Sequence, residues 1–155
     1  MAVFCLVIAI GASSCKKDSS SVPQSNATGF RFKLDGGSSL TIDSSNAQIY
    51  TNGGMRMIDV YAFKGGQEVL EFHFAPTKGM KVAGTTLGTG AFLTYLATPI
   101  NSFDSQSGSL NLTTCDTIGN KLEGDFNFVG KEYPYSGSTS KTISEGHMIV
   151  TNITK

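Results

Sequence analysis

Residues 55–75, MRMIDVYAFK-GG-QEVLEFHFA, restrict what this chain can fold into more than any other stretch. Two runs rich in aromatic and β-branched residues flank Gly65-Gly66, and a diglycine supplies the positive φ angles that a two-residue hairpin loop needs. Such a loop pairs Lys64 with Gln67, Tyr61 with Leu70 and Asp59 with Phe72. One face then carries Met57, Tyr61, Phe63, Leu70, Phe72 and Phe74 and is expected to be core. Arg56, Ile58, Val60, Glu71 and His73 fall on the other face. Asp59 lands on the core side, where a carboxylate is costly unless hydrogen-bonded or paired. A bulge that turns Asp59 outward removes the conflict, and it is the expectation here.

A lone hairpin is barely stable in water, so the remaining chain must extend it. In FRFKLDGG, Phe30, Phe32 and Leu34 alternate with Arg31, Lys33 and Asp35, the period of a half-buried strand. AQIYT reads as a second strand, closed by Asn52-Gly53-Gly54. MKVAG, AFLTYLA, SLNLTT, KLEGDFNFVG and ISEGHMIVTNI read as further strands between turn residues. In KLEGDFNFVG, Leu122, Phe126 and Phe128 point one way while Glu123, Asp125 and Asn127 point the other. No segment holds a helical period beyond two turns. With 18 Gly and only 15% charged residues, the composition favours short strands and tight turns. The expected fold is all-β, an antiparallel β-sandwich or partly open β-barrel, as a single β domain over residues 29–155. Twelve basic and twelve acidic residues give zero net charge, which argues against a nucleic-acid partner.

Upstream, residues 3–10 are apolar without a break, too short for the roughly 20 residues that span a bilayer and suited to a signal-peptide core. Ala12, Ser13 and Ser14 follow and lead into Cys15. This arrangement resembles the lipobox of bacterial lipoproteins, although Ala12 stands where that motif usually carries Leu. The resemblance implies a signal peptide over 1–14 and a diacylglycerol on the Cys15 thiol. Several acyl chains, at about 0.8 kcal/mol per buried CH₂, make a stable membrane anchor. Residues 16–28, KKDSSSVPQSNAT, are too polar to bury anything, so 15–28 reads as the lipidated cysteine and a flexible tether.

SCKKD before a Ser-rich stretch resembles lipoproteins of Bacteroidota-type bacteria. The C-terminal third is similar to a group of uncharacterised members of that class through Gly124-Asp125-Phe126-Asn127-Phe128 and the Gly146–Ile153 run. That likeness implies a β domain and a lipid-anchored place in the cell envelope, at the outer membrane. It implies no activity.

His73 and His147 are the only histidines. Glu71 and His73 form an E-x-H pair on one strand face, which would supply two metal ligands. No Cys/His cluster completes the four a structural zinc site needs, so no metal is assigned. Cys115 is the one cysteine left once Cys5 and Cys15 are assigned to the leader and the anchor, and it reads as a quiet thiol. The oxygen-rich stretches 43–46, 101–104 and 116–120 read as structural turns. Tyr133-Pro134-Tyr135 places two aromatics around a proline in a loop, where they would stack on sugar rings or pack on a protein. No nucleophile elbow, phosphate loop or dinucleotide fingerprint appears, so neither a catalytic residue nor a cofactor is assigned. The expected role is a binding or accessory module of the envelope, reaching the membrane through acylated Cys15 and meeting a protein or glycan. The alternatives are a structural envelope protein, and a hydrolase built on Asp59 or on the Glu71/His73 face.

Overall fold

The computed structural model describes residues 29–84, 90–135 and 137–155. The signal segment, Cys15 and the tether lie outside the described residues. Among the described residues eleven strands follow one another: β1 (Gly29–Leu34), β2 (Ser39–Thr41), β3 (Ser44–Asn52), β4 (Met55–Lys64), β5 (Gln67–Phe74), β6 (Gly79–Val82), β7 (Ala91–Thr98), β8 (Asn101–Asp116), β9 (Lys121–Glu132), β10 (Ser140–Val150) and β11 (Ile153–Thr154). They form one curled sheet in the order β11-β3-β4-β5-β7-β8-β9-β10-β1-β2, with β6 on β8 beside this path. All pairs are antiparallel except β11 on β3. The all-β expectation holds as a strongly curled, partly open barrel.

The barrel's seam lies between β1 with β2 and β3 with β11. Ile42 and Asp43 cross it. The Ile42 N–H donates to the Phe30 carbonyl of β1, and the next N–H, of Asp43, donates to Phe63 of β4. Two adjacent residues thus tie both banks of the seam, which is how a short strand avoids leaving a bare edge.

Strand alternation fills the concave side with phenylalanine. Phe72 of β5 meets Phe126 of β9 edge-on at 4.9 Å between ring centroids and Phe30 of β1 at 5.6 Å. These three strands stand on different walls, so the rings close the interior across its width. Phe30, Phe32, Phe72, Phe74, Phe126 and Phe128 are all at most 2% exposed. Each contributes about 1.5–3 kcal/mol through burial. On β9, Leu122, Phe126 and Phe128 point inward as the alternation predicts.

The 55–75 hairpin forms with the expected Gly65-Gly66 loop, both glycines at positive φ. Its register differs from the simple reading. Lys64 pairs with Gln67 and Phe63 with Glu68, but Ala62 then pairs with Leu70, leaving Val69 as an extra residue in β5. A slip of one residue exchanges the faces. The core side of β4 is therefore Ile58, Val60 and Ala62, joined by Leu70, Phe72 and Phe74. Tyr61 and Phe63 move to the outer face, only partly buried, while Met57 stays buried at the strand's start. Tyr61 faces Glu71 and Asp59 faces His73, not Leu70 and Phe72. The bulge turns Asp59 away from the phenylalanine core, as expected.

Two of the stretches read as turns are strand. Residues 44–46 open β3 and 101–104 open β8. Only 116–120 is a turn, where Asp116 Oδ1 accepts the backbone N–H groups of Ile118 and Gly119 at 3.1 and 2.8 Å.

Candidate functional site

The Val69 bulge assembles the first cluster. With Asp59 opposite His73 and Tyr61 opposite Glu71, four polar side chains occupy a two-by-two grid on the outer face of β4 and β5. His73 Nδ1 lies 2.7 Å from Asp59 Oδ1, and His73 Nε2 lies 3.2 Å from Glu71 Oε1. The Tyr61 hydroxyl donates to Asp59 Oδ2 at 3.3 Å. His73 also lies against Phe92 of β7, ring centroids 6.0 Å apart.

An imidazole that faces a carboxylate through each nitrogen must donate from both, which only the imidazolium does. The Glu71 bond, with the Asp59 bond and both negative charges, raises the His73 pKa from 6.5 to about 9 against the opposing effect of burial. Burial, followed by the charges of Asp59 and Glu71, pushes Tyr61 up to about 12. Tyr50 of β3 is raised by burial and by its hydrogen bond to Asp59. Glu68 is raised by burial and by Glu71. At neutral pH the cluster is a protonated histidine clamped between two carboxylates, with the Tyr61 hydroxyl on one of them.

The second cluster is the Tyr133-Pro134-Tyr135 turn after β9. The two rings meet edge to face, centroids 5.4 Å apart and planes at 87°. Tyr133 is 61% exposed and Tyr135 38%. The Tyr133 N–H donates to the Ser102 carbonyl, which fixes the turn against the start of β8. The Tyr135 hydroxyl donates to Asp104 Oδ2 at 2.8 Å, and Thr94 donates to Asp104 Oδ1 at 3.0 Å. Asp104, only 6% exposed, is thus satisfied on both oxygens. Burial and the Asp104 bond push Tyr135 up to about 12. Next to Ser102, the side-chain oxygen of Asn101 is buried without a hydrogen-bond partner, and Ile100 is 97% exposed.

The two clusters share one row of the sheet. Tyr61 pairs with Glu71, Glu71 with Thr94, and Thr94 with Asp104, so four neighbouring strands carry a continuous polar strip on the outer wall. At about 4.8 Å per strand, Glu71 and Asp104 are two strand spacings, about 10 Å, apart. Of the five described candidates from the sequence, Glu71 lies in this row, Asp59 and His73 in the row beside it, and Tyr133 and Tyr135 in the turn that reaches its far end through Asp104. Direct contact joins Asp59, His73 and Glu71 as one group and the two tyrosines as another, with Thr94 and Asp104 between. Sequence reasoning missed Tyr50 and Thr94, took Tyr61 for core, and read Asp104 only as part of the 101–104 turn. Only the register brings them to the site, because no motif ties them to it. Cys115 is half-buried, and burial raises its thiol pKa, in keeping with a quiet thiol. Among the described residues no group of three His, Cys, Asp or Glu side chains is arranged to hold a metal ion. No protein-family model, curated protein or solved structure matches this chain.

Proposed function

We propose that this chain is a lipid-anchored lipoprotein of the cell envelope that acts as a binding or accessory module, meeting its partner through the outer-wall strip that ends in Tyr133 and Tyr135. The observation that carries this reading is an exposed aromatic pair braced from beneath by a buried, doubly bonded Asp104. Aromatic side chains held rigid at a surface present apolar area with little entropy left to lose on binding, which suits a protein or a sugar ring.

The hydrolase reading is weaker for a chemical reason. A general base needs a free lone pair, and both His73 nitrogens are engaged by carboxylates in the imidazolium form. The anchor rests on the lipobox-like segment before Cys15, and the outer-membrane address on the resemblance to Bacteroidota-type lipoproteins.

The test has two parts. Cys15→Ser should move the full chain from the membrane pellet to the soluble fraction, and a variant that stays in the pellet refutes the anchor. The immobilised full chain is then offered solubilised envelope proteins and, separately, envelope polysaccharide. Retention of either by the wild type and its loss from Tyr133→Ala/Tyr135→Ala supports the module. Equal retention by both, or none by the wild type, refutes the strip and favours a structural envelope role.

A further inference from the structure

The second histidine organises a different region of the wall. Arg31 of β1 pairs with His147 of β10, His147 with Asp125 of β9, and Asp125 with Asn111 of β8, so four neighbouring strands contribute one polar residue each to a single row. In the adjacent row the Asn127 side-chain nitrogen donates to Ser109 Oγ at 3.0 Å. These side chains line a hollow of about 270 Å³. A second hollow of about 300 Å³ adjoins it, shares Asn127, and is bordered by Gly108, Val129 and Thr142. The β10 register slips between Ile143 and Gly146, with Glu145 at positive φ, so a bulge bends the strand where the two hollows meet. Bulges are enriched beside binding sites for this reason.

From this geometry we propose that the outer face of β8, β9, β10 and β1 is an oligosaccharide-binding trough with two subsites, one on each side of Asn127. Pockets for drug-sized ligands start at about 300 Å³, so each hollow suits a single small ring. The charges at the first hollow balance: Arg31 and Lys33 offset Asp125 and Glu145, with Glu145 paired to Lys33 at 2.8 Å and Asp125 2.7 Å from the His147 ring. A neutral ligand therefore fits better than an ion. Arg31, Asp125, Asn111 and Asn127 all end in planar groups with two polar atoms side by side, the arrangement that engages two neighbouring hydroxyls of a sugar together. His147 Nδ1 is held by Asp125, while Nε2 makes no hydrogen bond among the described residues. The second hollow is lined by Val129, 39% exposed, together with Ser107, Thr142 and Ser144, and Val129 supplies an apolar surface for the C–H face of a second ring. The trough is separate from the Tyr133/Tyr135 strip and does not depend on it.

The test uses the full chain with glucose, mannose, galactose, N-acetylglucosamine and a homodisaccharide of each, by saturation-transfer NMR and calorimetric titration. At least one disaccharide should bind, about tenfold or more tighter than its own monosaccharide. Asn127→Ala and Asp125→Ala should each weaken it by about tenfold, the scale of one lost ligand hydrogen bond. Both positions are on the outer face, so the variants should keep the wild-type circular dichroism spectrum. Ile118→Ala, at an exposed turn residue outside the trough, should bind as the wild type does. No transfer to any sugar, a disaccharide no tighter than its monosaccharide, or binding that survives both substitutions overturns the proposal.

Discussion

His73 should make the stability of this protein fall as pH rises from neutral into the alkaline range. Its folded-state pKa is raised from 6.5 to about 9 because Glu71 and Asp59 hold the imidazolium. A raised pKa contributes stability that is fully present below 6.5 and is lost as pH climbs through about 9. At about 1.36 kcal/mol per factor of ten in proton affinity, the ceiling is about 3 kcal/mol. The cluster is open to water on one side, with 22% of the His73 side chain exposed. Solvent screening therefore brings the expected effect to about 1–2 kcal/mol. Urea unfolding of the full chain across this window, beside His73→Gln, isolates the histidine, since the other titrating groups are common to both. The gap between wild type and variant should be largest below 6.5 and shrink by that amount above 9. A gap that stays constant across the window, or an imidazole that titrates near 6.5 by NMR, would refute the clamp.

Two further outcomes follow from the geometry. Deleting Val69 removes the bulge and forces either Asp59 and Tyr61 or the outer residues of β5 onto the core side. The loss should exceed about 4 kcal/mol and abolish the cooperative urea transition, whereas Val69→Ala should keep it. Tyr135→Phe leaves one oxygen of the nearly buried Asp104 without its donor, which should cost about 1–3 kcal/mol in the same assay. Tyr133→Phe, at an exposed ring, should stay within about 0.5 kcal/mol of wild type.

Fold class was legible because alternation survives even where register does not. FRFKL and KLEGDFNFVG show inward and outward residues without ambiguity, and both behave as read. The hairpin misled on one face because β4 is apolar on both sides. Met57, Tyr61 and Phe63 compete with Ile58, Val60 and Ala62, and a single extra residue on the partner strand decides between them. Nothing in QEVLEFHF marks Val69 as that residue, since it is β-branched and apolar like its neighbours. The charged residue supplied the clue instead, because Asp59 was the one side chain the simple register could not satisfy. The partnership of Asp59 with His73, and of Tyr135 with Asp104 across 31 residues, depends on cross-strand register and loop path, which the sequence does not encode locally.

The pairing of β1 with β10 also sets the order in which this protein can be made. Thr142 donates its backbone N–H to Asp35 across 107 residues, and β1 finds no neighbour on that side until β10 exists. A nascent chain halted anywhere before β10 leaves Phe30 and Phe32 without the wall they pack beside. Such long-range closure is slow, because the loop entropy is lost before the contacts form. The delay lengthens the interval between the end of synthesis and the closing of the barrel, and the first strand made is among the last to be paired on both sides.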